Sequence, residues 1–137
     1  MIVVDTSAVL ALLRARDEHH AEARALFDGF DDDLLTSPLA VSEMDYMATE
    51  YARPEALQAF WHDLDAGAYV VHWWEEAMSE TVAIARNHPG LGLTDASLVA
   101  VAGRAGTDRI ATFDQHFRRV TTVEGRPFRL LPADSRD

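Results

Sequence analysis

The chain has 137 residues, 48% of them apolar, which suffices for one full hydrophobic core and leaves too little for two domains. Acidic residues outnumber basic ones 23 to 12, for a formal net charge of -11, and every basic residue is an arginine. With neither lysine nor cysteine, the sequence excludes a P-loop lysine, Schiff-base chemistry, response-regulator receivers, disulfide scaffolds, thiolate nucleophiles and Cys-ligated zinc or iron–sulfur sites.

Ile2-Val3-Val4 is a continuous β-branched run of the kind buried on both faces of a parallel sheet. Thr6-Ser7 then offers a hydroxyl cap to a helix over Ala8–Leu13, and a second helix is expected over Asp17–Phe30, ended by Gly29 and the acidic run Asp31-Asp32-Asp33. Leu34–Thr36 reads as a second strand. Ser37-Pro38 starts a helix to about Ala52, with a capping hydroxyl before proline at the first helical position. Pro54 opens another helix to about Asp65, Tyr69–His72 reads as a third strand, and Glu75–Asn87 as a long helix. After the loop His88-Pro89-Gly90-Leu91-Gly92, Thr94 is expected to cap a small-residue helix over Asp95–Ala105. Arg109–Thr112 and Pro127–Leu131 supply the fourth and fifth strands. This alternation predicts an α/β fold, a three-layer sandwich with a central, mainly parallel five-stranded sheet flanked by helices. A single domain over residues 1–132 and a polar C-terminal tail over 133–137 are expected. No apolar run nears the roughly 20 residues of a spanning helix, and Met1 to Asp5 carries no basic leader, so the expectation is a soluble, cytoplasmic protein with no membrane partner.

In such a sheet, ligands bind in the crevice beyond the carboxyl ends of the strands. Asp5 follows the first strand and Asp114 follows the fourth, Asp95 opens a helix after the glycine-containing loop, and Glu43 lies two turns inside the helix begun by Ser37-Pro38. An all-oxygen set of this kind suits magnesium or manganese rather than zinc. Each residue also has a plainer role: Asp5 and Asp95 as helix-terminus groups, Glu43 as a solvated side chain, Asp114 as a turn former with Gln115 and His116. An acidic chain ordinarily repels nucleic acid, but cations held by converging carboxylates invert the local potential, and arginines can rim the site.

Four blocks in order, Ile2-Val3-Val4-Asp5-Thr6-Ser7, Ser37-Pro38 with Glu43, Leu93-Thr94-Asp95-Ala96 and Ile110-Ala111-Thr112-Phe113-Asp114-Gln115-His116-Phe117, resemble the PIN-domain ribonucleases, specifically the VapC toxins of toxin–antitoxin modules. The resemblance spans essentially the whole chain. It implies a PIN-like fold and places Asp5, Glu43, Asp95 and Asp114 on the family's catalytic, metal-binding quartet. Asp5 and Asp95 then stand as principal ligands, Asp114 as ligand to the same or a second ion, and Glu43 as ligand or water-orienting base. The hydroxyls of Thr6, Ser7, Thr94 and Thr112 fall beside them. The implied activity is Mg2+- or Mn2+-dependent endoribonuclease cleavage of RNA by a homodimer that a VapB-type antitoxin inhibits.

Two rival readings fit the residues less well. A phosphatase of the HAD type also begins with a strand ending in Asp but wants a second Asp where this chain has Ser7. A catalytically inactive PIN-fold interaction scaffold would lack a member of the quartet, and none is missing. His19-His20 beside Asp17-Glu18 reads as solvated histidines, since neighbours on a helix diverge by about 100°. His116 is near enough to touch phosphate, although a surface role is the commoner one. Trp61, Trp73 and Trp74 suit a core or an interface, and Met44, Tyr46, Met47 and Tyr51 leave one helix apolar on several sides, which favours a dimer or a bound partner. Arg14, Arg16, Arg86 and Arg104 are the candidate phosphate contacts.

Overall fold

The computed structural model describes residues 1–135. Its sheet has five strands, β1 (Ile2–Val4), β2 (Leu34–Thr36), β3 (Tyr69–Val71), β4 (Arg109–Ala111) and β5 (Arg129–Leu131), in the order β3-β2-β1-β4-β5. Every pairing is parallel, so the mainly parallel sheet expected is wholly so. Parallel neighbours need crossovers, and six helices supply them: α1 (Thr6–Leu13), α2 (His20–Asp28), α3 (Pro38–Tyr51), α4 (Pro54–Asp65), α5 (Ala77–Asn87) and α6 (Leu93–Ala105). Side chains alternate across a strand, yet Ile2, Val3 and Val4 are all fully buried, so helices cover both faces at the sheet's centre. α6 is the second pillar of the core, with an unbroken run of buried residues from Ala96 to Ala102. Among the described residues no helix is long and apolar enough to cross a membrane.

Several boundaries move for physical reasons. α1 begins at Thr6 with Asp5 as its N-cap residue, and neither Thr6 nor Ser7 caps it, because Ser7 Oγ is engaged on Asp5 and the strand β4 end. α6 begins at Leu93 after Gly92, so Thr94 lies inside the first turn instead of capping it. The histidine pair is half-buried and not fully solvated: His19 stacks on Phe113 with ring centroids 4.4 Å apart, and His20 Nδ1 lies 2.9 Å from the Ala11 carbonyl oxygen. Of the expected tail, residues 133–135 turn back on the fold, where Asp134 accepts two hydrogen bonds from Arg118 and one from the Leu130 amide. Residues 136–137 lie outside the described residues.

Candidate active site

The strand order reverses at β1, whose sequence successor β2 lies on one side while β4 lies on the other. Chain connections leave in opposite directions there, and the crevice between the carboxyl ends of β1 and β4 is the place where an open α/β sheet binds ligands. The backbone closes its floor: the Asp5 amide donates to the Ala111 carbonyl at 3.0 Å.

Asp5 sits in that crevice, 4% exposed. Ser7 Oγ donates to its Oδ2 at 2.9 Å and Thr112 Oγ1 donates to the same oxygen at 2.7 Å. Their two hydroxyl oxygens lie 3.1 Å apart, and they accept the amides of Asp114 (Thr112) and Phe113 (Ser7), so β4 and the turn after it are fixed by the groups that hold Asp5. Burial pushes the Asp5 carboxyl up to about 6; the bonds from Thr112 and Ser7 oppose this, and the charge of Asp95 adds to it.

Asp95 and Asp114 meet through His116. The imidazole Nε2 lies 2.7 Å from Asp95 Oδ2 and Nδ1 lies 2.5 Å from Asp114 Oδ1. Two carboxylates facing both ring nitrogens favour the doubly protonated form of His116, in which both nitrogens donate. Burial pulls His116 down, but Asp95 and Asp114 outweigh it and hold it above its usual range. Asp95 is raised, chiefly by burial; His116 lowers it, and Glu43 and Asp114 raise it. Asp114 also plays its turn role, capping the 3-10 turn Gln115–Arg119 through the His116 amide. Glu43 stands exposed on α3 beside the buried stripe Ala40, Met44 and Ala48, and acts on Asp95 through charge alone.

Asp95 is thus the electrostatic centre of the quartet, coupled to Asp5, Glu43 and Asp114. The donor chemistry of the quartet, carboxylate oxygen throughout, is of the kind that suits a hard divalent cation. Among the described residues, no three Asp, Glu or His side chains close to ion-holding spacing as they stand. Of the four neighbouring hydroxyls, Ser7 and Thr112 hold Asp5, whereas Thr6 Oγ1 is buried without a partner and the Thr94 side chain bonds none of the carboxylates.

Sequence reasoning missed Ser97. Its hydroxyl lies 2.6 Å from Ser37 Oγ and donates to the Thr94 carbonyl at 2.5 Å, linking the start of the Glu43 helix to the first turn of the Asp95 helix. A serine amid the small apolar residues of α6 was the available signal. Beside Asp95 and His116 opens a cleft of about 430 Å³, lined also by His88, Leu91 and Arg119.

A family model described as PIN domain matches residues 2–123. Among curated proteins, Ribonuclease VapC26 of Mycobacterium tuberculosis is 29% identical over 135 residues, covering 96% of this chain and 100% of the relative. Among solved structures, Mycobacterium tuberculosis VapC20, described as a Sarcin-Ricin loop cleaving toxin, matches with a TM-score of 0.79 at 24% identity over 93% of this chain and 100% of that one. FitAcB from Neisseria gonorrhoeae matches with a TM-score of 0.60 at 17% identity, over 84% and 88% of the two chains. At those identities the two solved structures bear on the fold alone.

Proposed function

The chain belongs to the PIN domain family, and we propose that it is a VapC-like toxin, an endoribonuclease dependent on Mg2+ or Mn2+ that a VapB-type antitoxin restrains. The observation that carries this reading is the gathering at the β1–β4 crevice of buried Asp5, held by Ser7 and Thr112, with Asp95 and Asp114 joined through His116 and the charge of Glu43 bearing on Asp95. Like charges brought together in a half-buried site cost folding free energy, and a fold retains such a cost where a cation is to be bound. The similarity to Ribonuclease VapC26 over nearly the whole chain supports RNA as the substrate.

In this reading Asp5 and Asp95 are the principal ligands, Asp114 completes the set or serves a second ion, and Glu43 is a ligand or orients the attacking water. A bound divalent ion supplies a water acidified toward neutrality and a counter-charge for the phosphodiester. The protein's part is positional. Ser7 and Thr112 fix one oxygen of Asp5, and the Ser37–Ser97 link sets α3 against α6. His116 occupies Asp95 Oδ2 and so competes with an ion for it. Once released, its imidazole is placed to meet a phosphate. The cleft beside it, with Arg119 on its wall, takes the nucleotide next to the scissile bond.

The partner and dimer readings rest on α3 and α4, where Tyr46 and Trp61 are 63% and 44% exposed. Action in the cytoplasm follows from the proposed toxin role. The decisive experiment incubates the protein with single-stranded RNA in Mg2+ or Mn2+ and in EDTA. Internal cleavage with metal, lost in chelator and in Asp5→Asn, is expected; cleavage indifferent to both would overturn the reading, and a protein that binds RNA and metal without cutting would be the scaffold.

A further inference from the structure

α1 and α3 both lead away from the acidic crevice and pack against one another. α1 starts next to Asp5 and ends at Leu13, while α3 carries Glu43 and ends at Tyr51. At ~1.5 Å per residue, Arg14 and Tyr51 lie about 13 and about 12 Å along their helices from Asp5 and Glu43 respectively. The two helix ends and the start of α4 enclose a cleft of about 600 Å³, lined by Arg14, Arg16, Tyr51, Arg53 and Glu55 among others.

The charge of this cleft runs against that of the molecule. Three of the chain's 12 basic residues meet here with one glutamate, in a protein of net charge -11. The arginine salt bridges among the described residues lie elsewhere, on Arg24, Arg109, Arg118 and Arg126. Arg14, Arg16 and Arg53 therefore keep their guanidinium donors available. Arg14 stacks over the Tyr51 ring at 5.9 Å from its centroid, which orders one guanidinium beside an exposed aromatic face. Arg104, by contrast, is spent on Trp74, 5.3 Å from its ring centroid.

We propose that this cleft is a second RNA contact, in which Arg14, Arg16 and Arg53 hold backbone phosphates and Tyr51 offers a stacking face to a base. The proposal rests on the ribonuclease reading above and gives it a substrate path. A stacked strand advances ~3.4 Å per phosphate, so a span of about 12 Å places the contact roughly three or four nucleotides from the scissile bond. Free guanidiniums beside an aromatic ring are the combination that grips single strands without reading their sequence. Continuity with the acidic crevice along two helices favours RNA over an acidic protein segment.

The test measures binding of fluorescein-labelled single-stranded RNA, one oligomer of about four nucleotides and one of about ten, across a salt series in EDTA. Replacing Arg14 and Arg53 together by Gln is expected to weaken the longer oligomer tenfold or more. It should also flatten the log–log salt slope by about 1.4, at ~0.7 per phosphate for single strands. The shorter oligomer, which cannot span the crevice and the cleft together, should lose clearly less. Arg24→Gln with Arg126→Gln removes the same charge elsewhere and should leave the slope intact. An unchanged slope in the Arg14/Arg53 variant, or equal losses for both oligomers, would overturn the proposal. So would preferential binding of a polyglutamate peptide that those substitutions abolish while RNA binding persists, since that gives the cleft to a protein partner. If the wild type shows the length-dependent, salt-sensitive binding yet cuts no RNA with metal, the nuclease reading fails and the cleft remains an RNA contact.

Discussion

Asp5 is a carboxylate taken out of water before anything neutralises it. Its carboxyl stands at about 6 in the folded protein against an ordinary 3.8, with burial as the main cause. Below the ordinary value both folded and unfolded chains hold the proton, and this group opposes nothing. Between 3.8 and about 6 the folded chain binds more protons than the unfolded one, so stability falls as pH rises and the loss is complete above about 6. At ~1.4 kcal/mol for each tenfold change in proton affinity, the cost is roughly 3 kcal/mol at its upper bound. Asp5→Asn keeps an acceptor for Ser7 and Thr112 while removing the charge. It is expected to melt several degrees above the wild type at pH 8 in EDTA, to lose that advantage at pH 4, and to cut no RNA. Thermal scans at the two pH values check it; a mutant less stable at pH 8 would mean that the ionised form is already compensated. His116 makes a companion case. Because its ring Nε2 engages Asp95 Oδ2, His116→Ala should bind Mn2+ several-fold more tightly by calorimetry. Weaker binding would show that the imidazole gathers the carboxylates instead of competing for them.

Between elements, hydroxyls decide how the site is held. Ser37 caps α3 by accepting the Ala40 amide at 3.0 Å, and the same oxygen meets Ser97 on α6. Both serines are fully buried, so removing the Ser97 hydroxyl leaves polar groups without a partner or a path to water. Ser97→Ala is expected to cost about 1–2 kcal/mol in urea unfolding and to lower cleavage through the spacing of Glu43 and Asp95. Thr81 on α5 offers the opposite sign, because its hydroxyl is buried with no partner. Thr81→Val keeps the shape and is expected to stabilise by up to about 1 kcal/mol without altering cleavage. Equal losses in both variants would mean that packing, not hydrogen bonding, is being measured.

For the whole molecule the governing quantity is charge. On the proposed cation-dependent reading, a net -11 with a carboxylate cluster at the site leaves the metal-free protein as the less stable form. A cation that binds only the folded state stabilises it by RT ln(1 + [L]/Kd), which is ~2.7 kcal/mol at 100 times Kd. Mn2+ is therefore expected to raise the melting temperature by several degrees, beyond the rise produced by sodium chloride of equal ionic strength, and to do so far less in Asp5→Asn. A shift matched by sodium chloride would reflect general screening and count against a built cation site.

The sequence by itself determined the five strands, the helices between them and the candidate carboxylates, because these are written locally. Ile2-Val3-Val4 is β-branched and continuous, Ser37-Pro38 has the chemistry of a helix start, and Asp5 and Asp114 adjoin strand ends. Ordered motifs likewise pointed to the PIN family, which the match over residues 2–123 established. Helix starts were less legible: Ser7 looked like a cap, but its hydroxyl reaches Asp5 and the Phe113 amide, a partner 106 residues away. Only the tertiary structure decided which hydroxyls hold carboxylates, with Ser7 and Thr112 engaged and Thr6 left alone. Only it placed His116 between Asp95 and Asp114, and gathered Arg14, Arg16 and Arg53 into one cleft. The physical reason is range. Propensity and capping act over one helical turn, whereas burial, charge coupling and shared hydrogen bonds depend on distances that exist only after the crossovers have brought β1, β4, α3 and α6 together.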